Sequence, residues 1–254
     1  MALPVPADGQ VDVWIARVSQ LGQSERLACE ALLDDAERVR LANFALEHAR
    51  TQFLTAYCLL RSVLSLYRPR HPSEWAFTAN AYGRPRLAGG QAADLLHFNL
   101  SHTHGMATCA ISGTEEVGID VEWIDRNLDF AALAPGVLAP PELARLHAAS
   151  DAEKRDLFFS FWTLKEAYIK ARGMGMSLPL KELGFEIDGS SPPKIFFQEG
   201  LEDAPARWSF SLFSPAPTHR VAAAASFPSV RGPMEVALRM VEIPQLVSSA
   251  QFNL

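Results

Sequence analysis

The chain has 254 residues, 48% of them hydrophobic and 20% charged, with a formal net charge of −6 at pH 7. That length holds one large domain or two modest ones, and the acidic balance disfavours a general nucleic-acid role. No apolar run is long enough to cross a bilayer and no secretory signal opens the chain, so a cytoplasmic protein without a membrane partner is expected.

Taken in order, residues 11–18 alternate apolar and polar for part of their length and predict a strand. Residues 34–46 form a charged helical stretch. Residues 50–67 form a more apolar helix carrying Phe53, Leu54, Tyr57, Leu60 and Leu64, stopped by Pro69 and Pro72. A strand at 75–78 leads to the turn Tyr82-Gly83-Arg84-Pro85, and residues 96–100 and 106–111 predict two more strands. The polar segment 112–116 is the expected domain boundary, giving halves 1–112 and 113–254. Cys29, Cys58 and Cys109 are scattered in apolar surroundings, which predicts buried thiols rather than a disulfide or a metal site.

The second half opens on a strand at 117–124. There Gly118, Asp120 and Glu122 share one face while Val117, Ile119 and Val121 share the other. Two carboxylates side by side on a sheet repel unless a cation neutralises them, and the glycine leaves room for something to approach. Residues 125–149 form a Pro- and Ala-rich insertion with a short helix at 141–147. A capping box at Ser150 and Glu153 then starts a long helix, FFSFWTLKEAYIKARGMG in its later part, which stops at Gly173. Glu166 and Lys170 are four apart on it and therefore neighbours. Asp120, Glu122 and Glu166 would together give three hard oxygen ligands of the kind that suits Mg²⁺ shared with a phosphate. Strands follow at 184–188, 194–198, 208–213 and 221–226. Strand and helix recur at similar offsets in both halves, which predicts an α+β fold of two similar halves about a pseudo-twofold axis.

Three motifs in order, Phe98-Asn-Leu-Ser-His-Thr103, Gly118-Ile-Asp-Val-Glu122 and Phe161-Trp-Thr-Leu-Lys-Glu-Ala-Tyr-Ile-Lys170, together with Tyr82-Gly-Arg-Pro85, resemble those of the Sfp-type 4′-phosphopantetheinyl transferases. The similarity runs from about Leu32 to about Ala225. It implies a pseudo-dimeric fold with coenzyme A in the cleft between halves, and transfer of the phosphopantetheine arm to a serine of an acyl or peptidyl carrier protein. A monomer is expected.

By that resemblance Asp120, Glu122 and Glu166 hold Mg²⁺, Glu166 also takes the serine proton, and Lys170 holds a diphosphate oxygen. Asn99, Ser101 and His102 lie at the phosphates. Tyr82, Gly83, Arg84 and Pro85 meet the nucleotide, and Arg40 meets the 3′-phosphate. The resemblance predicts a second basic residue three positions before Arg40, where this chain has Glu37. Arg61 is equally well explained as a structural ion-pair partner, and Lys165 is expected to face solvent or the carrier protein. The insertion is expected to dock the carrier, with Val137, Leu138 and Leu143 as apolar contacts and Arg126, Arg145 and Lys154 meeting an acidic helix. Two other functions fit the same residues less well. Another Mg²⁺-dependent nucleotide phosphotransferase would be expected to show a P-loop signature, which the sequence lacks. A non-catalytic carrier-binding scaffold would have no need of the carboxylates.

Overall fold

The computed structural model describes residues 2–19, 21–89, 95–175, 178–189, 191–198, 201, 203–227, 229 and 232–249. Strand β1 (Gln10–Arg17) buries both faces. Val11, Val13 and Ile15 join one apolar cluster, while Trp14 and Ala16 join another. A strand buried on both sides must lie between two layers. It sits inside a sheet of order β11 (Glu235–Val241), β1, β5 (Met106–Ser112), β4 (His97–Thr103). Helix α3 (Glu47–Tyr67) covers the outer face with Phe53, Leu60 and Leu64, and α1 (Gln23–Leu32) and α7 (Ile243–Ser249) pack beside it.

The second sheet has the order β6 (Val117–Trp123), β10 (His219–Ser226), β9 (Trp208–Phe213). Its Val117, Ile119, Val121, Val221, Ala223 and Ala225 meet the inner face of the first sheet around Val11, Val13 and Ile15. Helix α6 (Asp151–Arg172) lies on the outer face. The layers therefore run helix, sheet, sheet, helix, a mixed α+β architecture.

The glycine in the D-x-E strand explains how α6 gets so near. A Cβ at Gly118 would overlap the Ala167 carbonyl oxygen and lie 2.5 Å from the Ala171 nitrogen, both backbone atoms of α6. What approaches there is the helix itself. Opposite Gly118 and Asp120 on β10 stand Ala224 and Ala222, small enough to leave the same face to Phe161, Leu164 and Tyr168. The helix ends as expected at Gly173, whose φ of +62° suits glycine.

Elsewhere the elements differ from the sequence expectation. The helix expected at 34–46 ends earlier, as α2 (Asp35–Ala42), and α3 begins at Glu47 after Phe44 turns in against Phe53. The insertion contains an unexpected helix, α4 (Phe130–Val137), capped by Asp129. Its internal Pro135 is what disguised it, because proline is a poor helix signal. Helix α5 (Pro140–Ala148) follows. The strand expected at 75–78 is displaced into a hairpin of β2 (Phe77–Ala79) and β3 (Pro85–Leu87), and a second hairpin joins β7 (Leu183–Glu186) and β8 (Lys194–Phe197). The last strand, β11, returns to the first half and pairs parallel to β1. Among the described residues no helix is long and apolar enough to cross a membrane.

Candidate active site

Strands β4 and β6 belong to different sheets, yet side chains stitch them together. Asn99 Oδ1 accepts from the Ile119 N–H at 2.9 Å, and Ser101 Oγ accepts from the Val121 N–H at 3.3 Å. Both side chains are buried. They do for these strands what ladder hydrogen bonds do inside a sheet, and they fix where Asp120 points.

Ser101 Oγ also donates to Asp120 Oδ1 at 3.0 Å, and Lys170 Nζ reaches both oxygens at 2.7 Å. The other Asp120 oxygen, Oδ2, is buried and has no partner among the described residues. A buried carboxylate oxygen left unpaired carries a desolvation cost, so it marks a place where a further positive group belongs. Glu166, one turn before Lys170, is held above the usual carboxylate range by burial and by the charge of Asp120, against the pull of Lys170. Glu122 is pushed up to about 7 by burial first and then by Asp120, although Arg126 and Trp162 favour its charged form. The charge of Asp120 therefore reaches both of the other predicted carboxylates.

They do not yet form a closed ligand set. Among the described residues no three His, Cys, Asp or Glu side chains stand close enough to hold a metal. Glu122 is turned to Trp162, whose indole N–H donates to it at 2.8 Å, and to Arg126 at 3.1 Å. Lys170 already faces Asp120. The residues nonetheless fit a divalent cation in kind, being hard oxygen donors, and Asp120 Oδ2 among them is buried without a partner among the described residues. Trp162 was missed in the sequence. Its signal was its spacing, four residues before Glu166 and so on the same side of the helix.

Of the residues expected to meet the nucleotide, His102 stands at the surface with its ring crowded by neighbouring protein. Its pKa is lowered by exclusion of water and then by the positive charges of Lys170 and Arg40, which brings those three groups into one field. Arg40 donates to the Tyr57 hydroxyl at 3.0 Å and lies over the Phe53 ring. Tyr82 is exposed at the tip of the β2–β3 hairpin, Gly83 has φ +84°, and Pro85 begins β3. Arg84 points the other way. Its guanidinium donates to the carbonyls of Ala171, Glu115 and Val117.

Several neighbouring residues are structural. Arg61 is fully buried and donates to Glu37 at 2.7 Å, Asp34 at 3.2 Å and the carbonyls of Pro72 and Trp75. Glu37 is thus the partner a buried arginine requires, rather than a gap in an anion site. Lys165 faces neither solvent nor a partner. It is 1% exposed and paired at 2.7 Å with the buried Glu142, because α5 packs against that side of α6. In the insertion, Leu138 is core, while Val137 and Leu143 are partly buried against the same cluster. Arg126 is taken by Glu122, Arg145 by the Ile187 carbonyl and Lys154 by Asp151. The cysteines are free and buried.

A family model described as the 4′-phosphopantetheinyl transferase superfamily matches residues 116–225. The 4′-phosphopantetheinyl transferase HetI of a Nostoc strain is 33% identical over 200 residues, covering 79% of this chain and 81% of that one. The 4′-phosphopantetheinyl transferase Sfp of Bacillus subtilis is 26% identical over 208 residues, covering 82% and 88%. The solved holo-[acyl-carrier-protein] synthase of Neisseria meningitidis is 20% identical, covers 44% of this chain and 97% of its own, and superposes with a TM-score of 0.38.

Proposed function

The chain belongs to the 4′-phosphopantetheinyl transferase superfamily, and from that premise we propose how its own residues carry out the transfer. The phosphopantetheine arm of coenzyme A moves to a serine of an apo acyl or peptidyl carrier protein. The serine oxygen attacks phosphorus, the bond to the leaving oxygen breaks, and adenosine 3′,5′-bisphosphate departs. Coenzyme A lies in the cleft between two pseudo-symmetric halves, the protein acts as a cytoplasmic monomer, and the insertion faces the carrier.

One observation carries this reading: the buried Asp120, whose Oδ2 has no partner among the described residues while its Oδ1 meets Lys170 and its charge reaches Glu166. Asp120, Glu122 and Glu166 would hold Mg²⁺, which supplies positive charge against the diphosphate when bound. Glu166, whose pKa burial and the charge of Asp120 raise above the ordinary carboxylate value, is the stronger base for it when ionised and takes the serine proton. Lys170 is a mobile point charge at the diphosphate. His102 and Arg40 meet the phosphates of the nucleotide end, where Tyr82 and Gly83 offer an open loop to the base. Asn99 and Ser101 act mainly by holding β4 to β6.

The experiment is incubation with coenzyme A, Mg²⁺ and a panel of apo fatty-acid, polyketide and nonribosomal-peptide carriers, read by intact mass. Gain of the phosphopantetheine mass with Mg²⁺, and none with EDTA, is the expected result. No gain on any carrier type overturns it.

A further inference from the structure

Helix α6 crosses β6 at Gly118 with backbone against backbone, so at that point the strand offers the helix no side chain. What lies at its edge is Arg84, reaching over from the first half. Its guanidinium donates to the Ala171 carbonyl of α6 at 2.7 Å, and to the Glu115 and Val117 carbonyls at the start of β6 at 2.8 Å each. The loop that carries it is itself fixed. Asn80 Oδ1 accepts from the N–H groups of Tyr82 and Arg84, and Asn80 Nδ2 donates to the Gly173 carbonyl at 2.7 Å. The acceptors at the guanidinium are neutral carbonyls, and burial lowers the arginine pKa accordingly.

Lys170 is one residue before Ala171, and Asp120 is three residues after Val117. The latch therefore spans the two elements whose side chains meet at 2.7 Å. We infer that Arg84 is a positioning residue for the transfer, tying the end of α6 to the start of β6 so that Lys170 and Glu166 stand in register with Asp120, and that it does not bind the nucleotide phosphate. This rests on the transferase function proposed above. The tip residues Tyr82 and Gly83 of the same hairpin remain open, so a nucleotide seated there would press on the latch from the outside.

The test uses the full chain as wild type, Arg84→Ala, Arg84→Lys and Asn80→Ala. Wild-type transfer to a carrier tests the function, and the variants test the latch. In Arg84→Ala, kcat falls roughly ten- to a hundredfold, as misplacement of reacting groups by about an ångström does. The KM for coenzyme A changes less than about threefold, and preference over 3′-dephospho-coenzyme A is kept. Arg84→Lys recovers part of kcat, since one ammonium serves fewer carbonyls, and Asn80→Ala lowers kcat in the same direction. Independently of activity, amide exchange at residues 169–173 accelerates in Arg84→Ala while that at 155–160 does not. A KM rise of about tenfold or more with unchanged kcat and lost preference assigns Arg84 to the phosphate and overturns the latch. Unchanged exchange at 169–173 also overturns it, whether or not transfer occurs. If Arg84→Ala does not fold, the lysine and Asn80 variants decide by the same readouts.

Discussion

Lys170 of α6 is salt-bridged to Asp120 of β6 at 2.7 Å, so the helix lysine neutralises the strand carboxylate that a metal would also use. A cation at Asp120 would compete with the ammonium of Lys170 for the same charge. Such a cation would free the lysine to meet the diphosphate. The bridge thus links two roles that the sequence assigned separately.

Asp120→Asn removes charge from that centre while keeping the size of the side chain. We expect kcat/KM to fall about 10²- to 10⁴-fold, the scale of losing a group that offsets leaving-group charge. The Tm should move by less than about 4 °C, because Lys170 is partly exposed and water can solvate it instead. Turnover and thermal unfolding measured side by side check this. Retained turnover with a large drop in Tm would make Asp120 a structural residue.

Glu37 gives a prediction opposite to the one its sequence position suggests. Replacing it by lysine places a second cation against Arg61, which is fully buried and makes two hydrogen bonds to Glu37 at 2.7 and 2.9 Å. Breaking a buried pair costs about 3–5 kcal/mol, so Glu37→Lys should unfold at much lower urea than wild type. A stable Glu37→Lys protein with tighter coenzyme A binding would return position 37 to the anion site.

The difference between Glu37 and Asp120 shows what could be read without the structure. Asp120 and Gly118 were legible because strand periodicity puts both on one face, and a glycine there demands a close neighbour. That the neighbour is the α6 backbone depends on a crossing between elements some fifty residues apart. Glu37 sits on a helix whose spacing gives no hint of an arginine twenty-four residues on. Arg84 was legible as a turn residue between Gly83 and Pro85, but its three carbonyl acceptors come from the other half. The strand β11 was missed for a related reason. It is an edge strand with Leu238 and Met240 exposed, so its pattern lacks a clear buried face.

The Lys165–Glu142 pair should behave as a coupled unit. Lys165→Met strands a buried carboxylate and is expected to cost about 3–5 kcal/mol. Adding Glu142→Gln removes that stranded charge, although the amide has a single acceptor oxygen, so one of the Ala139 and Phe185 N–H groups loses its partner. The double variant should therefore be more stable than the summed single effects, with a coupling of about 1–3 kcal/mol. Urea unfolding of the four proteins gives the coupling directly, and additive single effects would show that the two residues are independent.

His102 offers a pH test of the anion site. In the free protein its pKa lies below the ordinary 6.5, through exclusion of water and the charges of Lys170 and Arg40. A phosphate bound beside it favours the imidazolium and raises that pKa. The affinity gained this way is fully present below the free-state pKa and is lost as pH rises through the bound-state pKa. Titrating the His102 ring by NMR, alone and with adenosine 3′,5′-bisphosphate, should show the upward shift. An unmoved ring resonance places the phosphate elsewhere.

Arg40 is the sharper probe of the same end, because the analogue 3′-dephospho-coenzyme A lacks only the group it is proposed to hold. The side chain is already oriented by the Tyr57 hydroxyl at 3.0 Å and the face of Phe53 at 5.3 Å, so little rotamer freedom is left to lose on binding. A charge-assisted contact is worth about 1.5–3 kcal/mol, so wild type should prefer coenzyme A roughly ten- to a hundredfold. Arg40→Ala should abolish most of that preference by weakening coenzyme A alone. Tyr57→Phe, which removes the hydroxyl but keeps the ring under the guanidinium, should reduce the preference by less and in the same direction. General damage to the first half would lower both substrates together and leave their ratio unchanged. An unchanged ratio in Arg40→Ala therefore confines this arginine to covering Phe53 and Tyr57, and leaves His102 to meet the 3′-phosphate.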